Sequence, residues 1–180
     1  QLKNYLSHLE CSSCGLHHSA EIPQSTCIHC GKVLYAQYDL AAARQGVSPS
    51  MLDGRPDTMW RYFEFLPVRN PNQIITLGEG GTPLLRTKNL SKSLGCPNLY
   101  LKDEGLNPTG SFKARGLSAA VSMARCLGVQ KLAIPTAGNA GGALAAYGAK
   151  AGLAVLADDA IIAELFGDGQ FLLIDKTSLE

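Results

Sequence analysis

The clearest hydrophobic periodicity in the chain lies in its second half. Between residues 113 and 128, apolar side chains recur at i, i+3, i+4, i+7 and i+10, which predicts one face of an amphipathic helix. The residues of this face are Leu117, Ala120, Val121, Ala124 and Leu127. Gly128 follows them and is suited to end the helix. A second helix is predicted from about Ala140 to Lys150, with Gly152 as its terminator.

Three short apolar segments alternate with these helices. They cover residues 98–103, 131–135 and 153–156, and each is bounded by turn residues. Strands that alternate with helices through short connections predict a parallel sheet with right-handed crossovers. Loops 105–112 and 136–142 would then follow neighbouring parallel strands and line one crevice, where open α/β sheets bind ligands. A further strand is predicted over 171–175.

The chain before this region divides into two parts. Residues 41–76 contain turn chemistry and an aromatic segment, 58–66, so we interpret them as a linker and packing segment. The aromatic cluster could form a stacking site, but a helix or turn that packs the linker on the larger domain is the favoured interpretation. Residues 77–84 form a third glycine-rich loop. The predicted domains are therefore 1–40, 41–76 and 77–180, the last incomplete.

Two copies of the pattern C-x-x-C-G lie in the first 31 residues. The cysteines concerned are Cys11, Cys14, Cys27 and Cys30. Two such turns supply four thiolates at the corners of a tetrahedron, the geometry that Zn²⁺ prefers, so the pattern predicts a small β zinc ribbon. Four protein ligands would make the site structural rather than catalytic. A pair of disulfides, or a remnant without metal, is the alternative.

Composition limits the class of protein. The 180 residues are 46% hydrophobic and 17% charged, with a formal net charge of +1, which is typical of a globular chain and gives no reason to expect nucleic acid or an acidic membrane surface as partner. No apolar segment is long enough for a membrane span, and the first residues lack the apolar core of a signal peptide. We therefore expect a soluble, cytoplasmic protein.

Lys113 stands where the loop 105–112 meets the first predicted helix. A nucleotide-binding P-loop would need Lys and Ser or Thr directly after Gly110, where Ser111 and Phe112 stand instead. A surface lysine is a second interpretation, although a cation at a helix N-terminus is slightly unfavourable. The third is a nucleophilic amine, because the helix N-terminus and Phe112 would favour its neutral form.

The motifs around this lysine resemble those of a known family. The segments N-P-T-G-S-F-K-x-R-G over 107–116 and T-A-G-N-A over 136–140 are similar to the lysine motif and the S/T-x-G-N loop of fold type II pyridoxal-phosphate enzymes, the tryptophan synthase β family. With the loop 78–84 and the four-cysteine ribbon added, the order of motifs resembles that of the threonine synthases. The resemblance covers roughly residues 8–156.

This resemblance implies a fold, a cofactor and roles for particular residues. The fold is a three-layer α/β fold with a parallel sheet, and the cofactor is pyridoxal 5′-phosphate, held covalently by Lys113, which also moves protons. Phe112 would pack beside the cofactor and Asn139 would hydrogen-bond its 3′-oxygen. The substrate carboxylate would be received by Thr136, Ala137 and Gly138. The implied reaction converts O-phospho-L-homoserine and water to L-threonine and phosphate, and a homodimer is compatible with it.

Two departures from the family pattern stand out. Ala114 occupies a position where many relatives carry Asp, which changes little. The loop for the cofactor phosphate and the partner of the pyridine nitrogen are not recognisable. Residues 157–166, directly after the strand over 153–156, resemble a helix near the family's C-terminus, so we expect a truncated or internally deleted chain. If the polypeptide is complete, we expect weak or absent cofactor binding and no turnover. Cysteate synthase, threonine dehydratase and a non-catalytic binding module remain alternatives.

Overall fold

The structure is a computed structural model that describes residues 3–136 and 138–157, and the backbone alone of 172–173. Four α-helices lie in the described part: α1 (Leu40–Gly46), α2 (Lys88–Ser93), α3 (Lys113–Cys126) and α4 (Asn139–Ala151). The strands are β1 (Leu6–Cys11), β2 (His17–His18), β3 (Leu34–Tyr38), β4 (Leu84–Arg86), β5 (Tyr100–Lys102), β6 (Lys131–Ile134), β7 (Ala154–Ala157) and β8 (Leu172–Leu173). Short 3₁₀ helices cover Pro49–Leu52, Met59–Phe65, Pro71–Gln73 and Glu104–Leu106.

The first sheet is antiparallel, with strand order β2-β1-β3. Its register places Glu10 opposite His17 and Cys11 opposite Leu34. The turn after each C-x-x-C pair closes on a glycine, Gly15 at φ 70° and Gly31 at φ 67°. These are left-handed conformations that favour glycine, so the tight turns predicted from the pattern are confirmed.

The predicted parallel sheet is confirmed for part of its length. In the described residues β6 is central, and both β7 and β8 pair with it in parallel. The predicted strand over 171–175 is described only at β8, and the predicted helix over 157–166 lies outside the described residues except for Ala157. The α/β class is therefore confirmed.

The strand predicted over 98–103 does not join this sheet, so that prediction was wrong. It forms β5, which pairs antiparallel with β4 in a separate two-stranded sheet. The side chains of both strands are exposed, whereas strands of a parallel sheet are covered on both faces. Consequently the loops 105–112 and 136–142 do not follow neighbouring strands of one sheet.

The main core lies between α3, α4 and β6. Its buried members are Ile75, Ala114, Leu117, Val121, Ala124, Leu132, Ile134, Ala143, Leu144 and Tyr147. Three of the five residues of the predicted apolar face of α3 are among them. Two serines on the same helix are also buried: Ser118 Oγ donates to the carbonyl of Ile75 at 2.7 Å, and Ser122 Oγ accepts from its N–H at 2.8 Å. The helix thus fixes the segment that leads into the glycine-rich loop.

The aromatic segment packs on this core, as predicted. Met59 and Trp60 are buried with Val68 and contact Ala119 and Cys126 on α3. The same segment also contacts the chain just before the N-terminal sheet: the N–H of Tyr5, the residue before β1, donates to the carbonyl of Glu64 at 3.0 Å. Among the described residues, none of the helices is long and apolar enough to cross a membrane.

Candidate active site

Lys113 is the first residue of α3, at the loop-to-helix junction predicted for it. The turn before it is closed by a hydrogen bond from Gly110 N–H to the carbonyl of Asn107, at 2.8 Å, and Gly110 has φ 72°. Ser111 is buried, and its Oγ accepts the backbone N–H of Lys113 at 3.3 Å. The ammonium Nζ of Lys113 lies 4.9 Å from the centre of the Phe112 ring, which is 54% exposed. The structure therefore brings these two predicted site residues together beside solvent.

Asn107 joins the lysine loop to the glycine-rich loop 77–84. Its side chain is buried, and its Oδ1 accepts the N–H of Gly80 at 3.2 Å. Gly80 has φ 113°, and a Cβ at this position would collide with the backbone N of Met59. Only glycine suits such a conformation and such a close approach. Gly80 thus lies against the backbone of Thr58 and Met59, and its N–H joins the glycine-rich loop to Asn107 in the loop before Lys113.

Glu104 ties the same two loops to the helix that carries Lys113. Its carboxylate accepts Arg115 Nε at 2.6 Å and Nη2 at 2.8 Å, and it also accepts the hydroxyl of Thr82 at 2.6 Å. Asn107 Nδ2 donates to it at 3.0 Å. The hydrogen bonds from Arg115 hold the pKa of Glu104 at about 2, with smaller contributions from Thr82 and Asn107, so the carboxylate is ionised at neutral pH.

Glu79 forms a second carboxylate network on the other side of the glycine-rich loop. It is fully buried and accepts four hydrogen bonds. The donors are Trp60 Nε1 at 2.8 Å, Thr76 Oγ1 at 3.1 Å, Leu77 N–H at 3.0 Å and Tyr147 Oη at 2.7 Å. Burial raises the pKa of Tyr147, and its hydrogen bond to Glu79 raises it further. Since Tyr147 belongs to α4, this carboxylate links the loop to the second helix.

The second predicted loop lies at the start of α4. Asn139 is the first residue of that helix and is exposed, and Gly138 N–H donates to Thr136 Oγ1 at 3.2 Å. Ala137, predicted to bind the substrate carboxylate, lies outside the described residues. Lys113 and Asn139 thus begin two helices that pack on each other through Leu117 and Leu144 in the shared core.

The four cysteines of the ribbon come together in one cluster. The Sγ atoms of Cys11 and Cys30 are 3.4 Å apart, and Cys14 Sγ lies 3.7 Å from the sulfurs of Cys27 and of Cys30. All four are free thiols rather than disulfides. Backbone N–H groups of Cys14 and Ser13 point at Cys11 Sγ and lower the pKa of this thiol to about 6.

A tetrahedral site with Zn–S bonds of about 2.3 Å has sulfurs about 3.8 Å apart, so the observed separations fit a zinc ion. They exceed by more than an ångström the length of about 2.05 Å that a disulfide requires. The donor set is thus suited to a closed metal site.

Sequence reasoning missed Glu79 and Glu104. A carboxylate between two glycines, or just after a strand, is usually exposed, so the local sequence does not mark either side chain as a structural contact. A signal for Glu104 was available in Arg115, which stands two residues after Lys113 and needs a planar acceptor. No comparable signal marks Glu79, since its four donors come from three separate places in the chain: Trp60, the adjacent Thr76 and Leu77, and Tyr147.

Part of the chain matches a known protein family. Residues 75–157 match the family described as "Pyridoxal-phosphate dependent enzyme". This segment contains Lys113, Asn139 and the two carboxylates Glu79 and Glu104, and the match implies the fold of type II pyridoxal-phosphate enzymes. The resemblance to enzymes of this class, predicted from the motifs, is confirmed.

Several curated threonine synthases are similar to this chain. The chain is 44% identical over 142 residues to the threonine synthase of Methanocaldococcus jannaschii, covering 79% of this chain and 35% of the relative. It is 40% identical over 150 residues to the threonine synthase of Methanosarcina acetivorans, a match that covers 83% of this chain and 36% of that relative. With that of Halalkalibacterium halodurans it shares 48% identity over 101 residues, 53% of this chain and 28% of the relative. The chain thus spans about a third of the length of these relatives.

Proposed function

We propose that this chain carries the lysine half of a pyridoxal-phosphate-dependent threonine synthase. The reaction converts O-phospho-L-homoserine and water to L-threonine and inorganic phosphate. The observation that carries the proposal is the position of Lys113 in the first turn of α3. The loop before it is fixed by Asn107 and Glu104, and the whole segment matches pyridoxal-phosphate enzymes. The similarity to several threonine synthases supports the choice of substrate.

The residues present suit the cofactor. Lys113 offers an amine at a helix N-terminus, where unpaired backbone N–H groups and the helix dipole favour a negatively charged group nearby. Phe112 presents an exposed ring beside that amine, a flat apolar surface for a heteroaromatic ring. When bound, pyridoxal phosphate supplies an electron sink for carbanion chemistry.

The chain's own residues would hold the reacting groups and move protons. Lys113 holds the cofactor and, once free, transfers protons to and from the substrate carbons. Asn139 donates a hydrogen bond to the 3′-oxygen of the cofactor. Thr136, Ala137 and Gly138 receive the substrate carboxylate at the start of α4, where helix N–H groups favour an anion. Glu104 and Asn107 position the loop that carries Lys113.

Covalent attachment tests the role of the lysine. The chain is incubated with pyridoxal phosphate, reduced with borohydride and analysed by peptide mass mapping. We expect the pyridoxyl group on Lys113, its loss in Lys113→Ala, and its retention in the control Lys150→Ala, whose lysine lies at the exposed far end of α4. A label spread evenly over surface lysines, and unchanged in Lys113→Ala, would reject the proposal.

Product analysis tests the substrate. In a polypeptide that contains this segment together with the rest of the cofactor site, the expected result is release of inorganic phosphate from O-phospho-L-homoserine, together with threonine. Release of ammonia from threonine instead would identify a threonine dehydratase, and a labelled Lys113 without either activity would favour cysteate synthase or a non-catalytic binding module. The cytoplasmic location and a homodimer stay predictions.

We further infer that Cys11, Cys14, Cys27 and Cys30 hold a structural zinc ion. The four sulfurs have the spacing of a tetrahedral thiolate site, and backbone N–H groups stabilise the thiolate of Cys11. Few apolar side chains are buried around the cluster, so metal binding would supply much of the folding free energy of this ribbon.

Elemental analysis tests the zinc site. About one zinc per chain is expected after removal of loosely bound metal, with loss of the ion in Cys11→Ser. The matched control is Cys96→Ser, because Cys96 is an exposed free thiol outside the cluster. A ratio near zero in the untreated protein would reject the site.

A further inference from the structure

A second cluster of metal-ligating side chains lies on the N-terminal sheet, apart from the four cysteines. It consists of His8, Glu10 and His17, whose ligand atoms all lie within 4.8 Å of one another. His8 and Glu10 are two residues apart on β1 and therefore share a face of the strand. The register places His17 of β2 directly opposite Glu10. The sheet itself thus assembles two imidazoles and one carboxylate.

The separations within the cluster are close to those of metal ligands. Glu10 Oε2 lies 3.4 Å from His17 Nε2 and 3.8 Å from His8 Nε2. Ligands of a tetrahedral zinc ion with bonds of about 2.05 Å are about 3.3 Å apart. Small rotations of the side chains would therefore bring all three atoms within bonding distance of one ion. The rings of His8 and His17 already lie 4.0 Å apart, centre to centre.

His8 is prepared as a ligand by its neighbour. Its Nδ1 is hydrogen-bonded to Ser7 Oγ at 3.0 Å. If that nitrogen donates, Nε2 carries the lone pair that a metal needs, and metal-bound histidines commonly have such a partner on the other nitrogen. The Nε2 atom is buried and has no hydrogen-bond partner. A buried, unpaired nitrogen that faces a carboxylate and a second imidazole is costly unless a cation occupies the space between them.

We propose that His8, Glu10 and His17 bind a divalent transition-metal ion such as Zn²⁺, in a site that leaves at least one coordination position open. Imidazole nitrogen and carboxylate oxygen suit Zn²⁺ and its neighbours in the first transition row rather than Ca²⁺ or Mg²⁺. Three protein ligands leave at least one position for water or for an external ligand, unlike the closed four-cysteine cluster. The exposed fractions of His17 and Glu10, 65% and 40%, make the site accessible and its ion exchangeable.

A zinc titration followed by the ring ¹⁵N signals of the histidines tests this site. In the 180-residue chain we expect saturable shifts of the His8 and His17 ring nitrogens beyond the first equivalent of zinc, which the cysteine cluster takes up. His17→Ala should weaken the zinc response of His8 by more than about 100-fold, since loss of a ligand exceeds the 10–100-fold effect of losing an outer partner. Ser7→Ala should weaken it by about 10-fold. The control His29→Ala should leave it unchanged.

The outcomes separate this site from the cysteine cluster. Zinc-dependent shifts at the cysteine Cβ atoms alone, with silent His8 and His17, would overturn the histidine site and leave the ribbon proposal intact. A His8 response unchanged in His17→Ala would also overturn it, because the two side chains would then act independently. His17 is largely exposed, so its replacement should preserve the fold, and an unaltered amide spectrum checks this.

Discussion

Two carboxylates hold the glycine-rich loop from opposite sides, and they do so in different ways. Glu104 is about one quarter exposed and faces Arg115 in a two-pronged ion pair. Glu79 is fully buried, and its four described hydrogen-bond donors are all neutral groups. Both connect the loop to a helix: Glu104 to α3, which begins at Lys113, and Glu79 to α4, which begins at Asn139.

Because of this difference in burial, we expect the fold to depend less on the Glu104 ion pair than on the buried hydrogen bonds of Glu79. An ion pair near the surface can be exchanged for water, so each of its partners contributes modestly to the free energy of unfolding. A buried acceptor surrounded by Trp and backbone N–H groups has no such substitute, because these groups can only donate. The loop should therefore tolerate changes at Glu104 better than changes at Glu79.

Replacing Glu79 by alanine should have the largest effect. The N–H of Leu77 would lose its acceptor, the indole N–H of Trp60 would keep only Ser118 Oγ at 2.9 Å, and a cavity would remain. We expect a loss of about 3–5 kcal/mol in the free energy of unfolding, measured by urea denaturation. A loss below about 1 kcal/mol would show that water replaces the carboxylate and would remove the proposed contrast.

Glu79→Gln is the control for shape. An amide NH₂ placed at either oxygen position would face an obligate donor, Trp60 on one side or Leu77 on the other. This variant fills the cavity but keeps one donor unsatisfied, so we expect an intermediate loss of about 1–3 kcal/mol. Full stability in this variant would show that shape alone accounts for the alanine result.

Glu104→Gln should have a smaller, pH-dependent effect of about 1–2 kcal/mol near neutral pH. The folded pKa of Glu104, about 2, lies below the ordinary value of 4.5, so its stabilisation is present above pH 4.5 and is lost as the pH falls towards 2. The difference in unfolding free energy between the wild type and this variant should therefore shrink over that range. A difference that is constant from pH 6 to pH 3 would contradict the assignment to the charged carboxylate.

The helices of the second half were predictable from the sequence, and the pairing of one strand was not. Leu117, Val121 and Ala124 carry a strong helical period, and Gly128 marks the end of α3, so local physics determined that element. The segment around Tyr100 has strand character but no feature that identifies its partner. Its side chains are exposed, which allows an antiparallel pair with β4 instead of a covered parallel strand.

The candidate site was predictable in its motifs but not in its supports. Lys113 and the four cysteines stand in patterns whose spacing specifies a chemistry. Glu79 lies in a loop, and only the tertiary fold shows that its side chain points inward towards Trp60 and Tyr147. Long-range contacts of this kind leave no local periodicity, so they were accessible only once the packing of α3 on α4 was known.

Tyr147→Phe should have the smallest effect on the free energy of unfolding. It tests a single hydrogen bond of the Glu79 network. It removes one of four donors to Glu79 and keeps the buried ring, so the carboxylate retains three hydrogen bonds. The expected loss is about 0.5–1.5 kcal/mol by urea denaturation, against no measurable change in the control Tyr100→Phe, whose ring is 48% exposed. If the Tyr147 variant instead matches Glu79→Ala, the network acts as one unit, and α4 depends on the glycine-rich loop through this single hydroxyl.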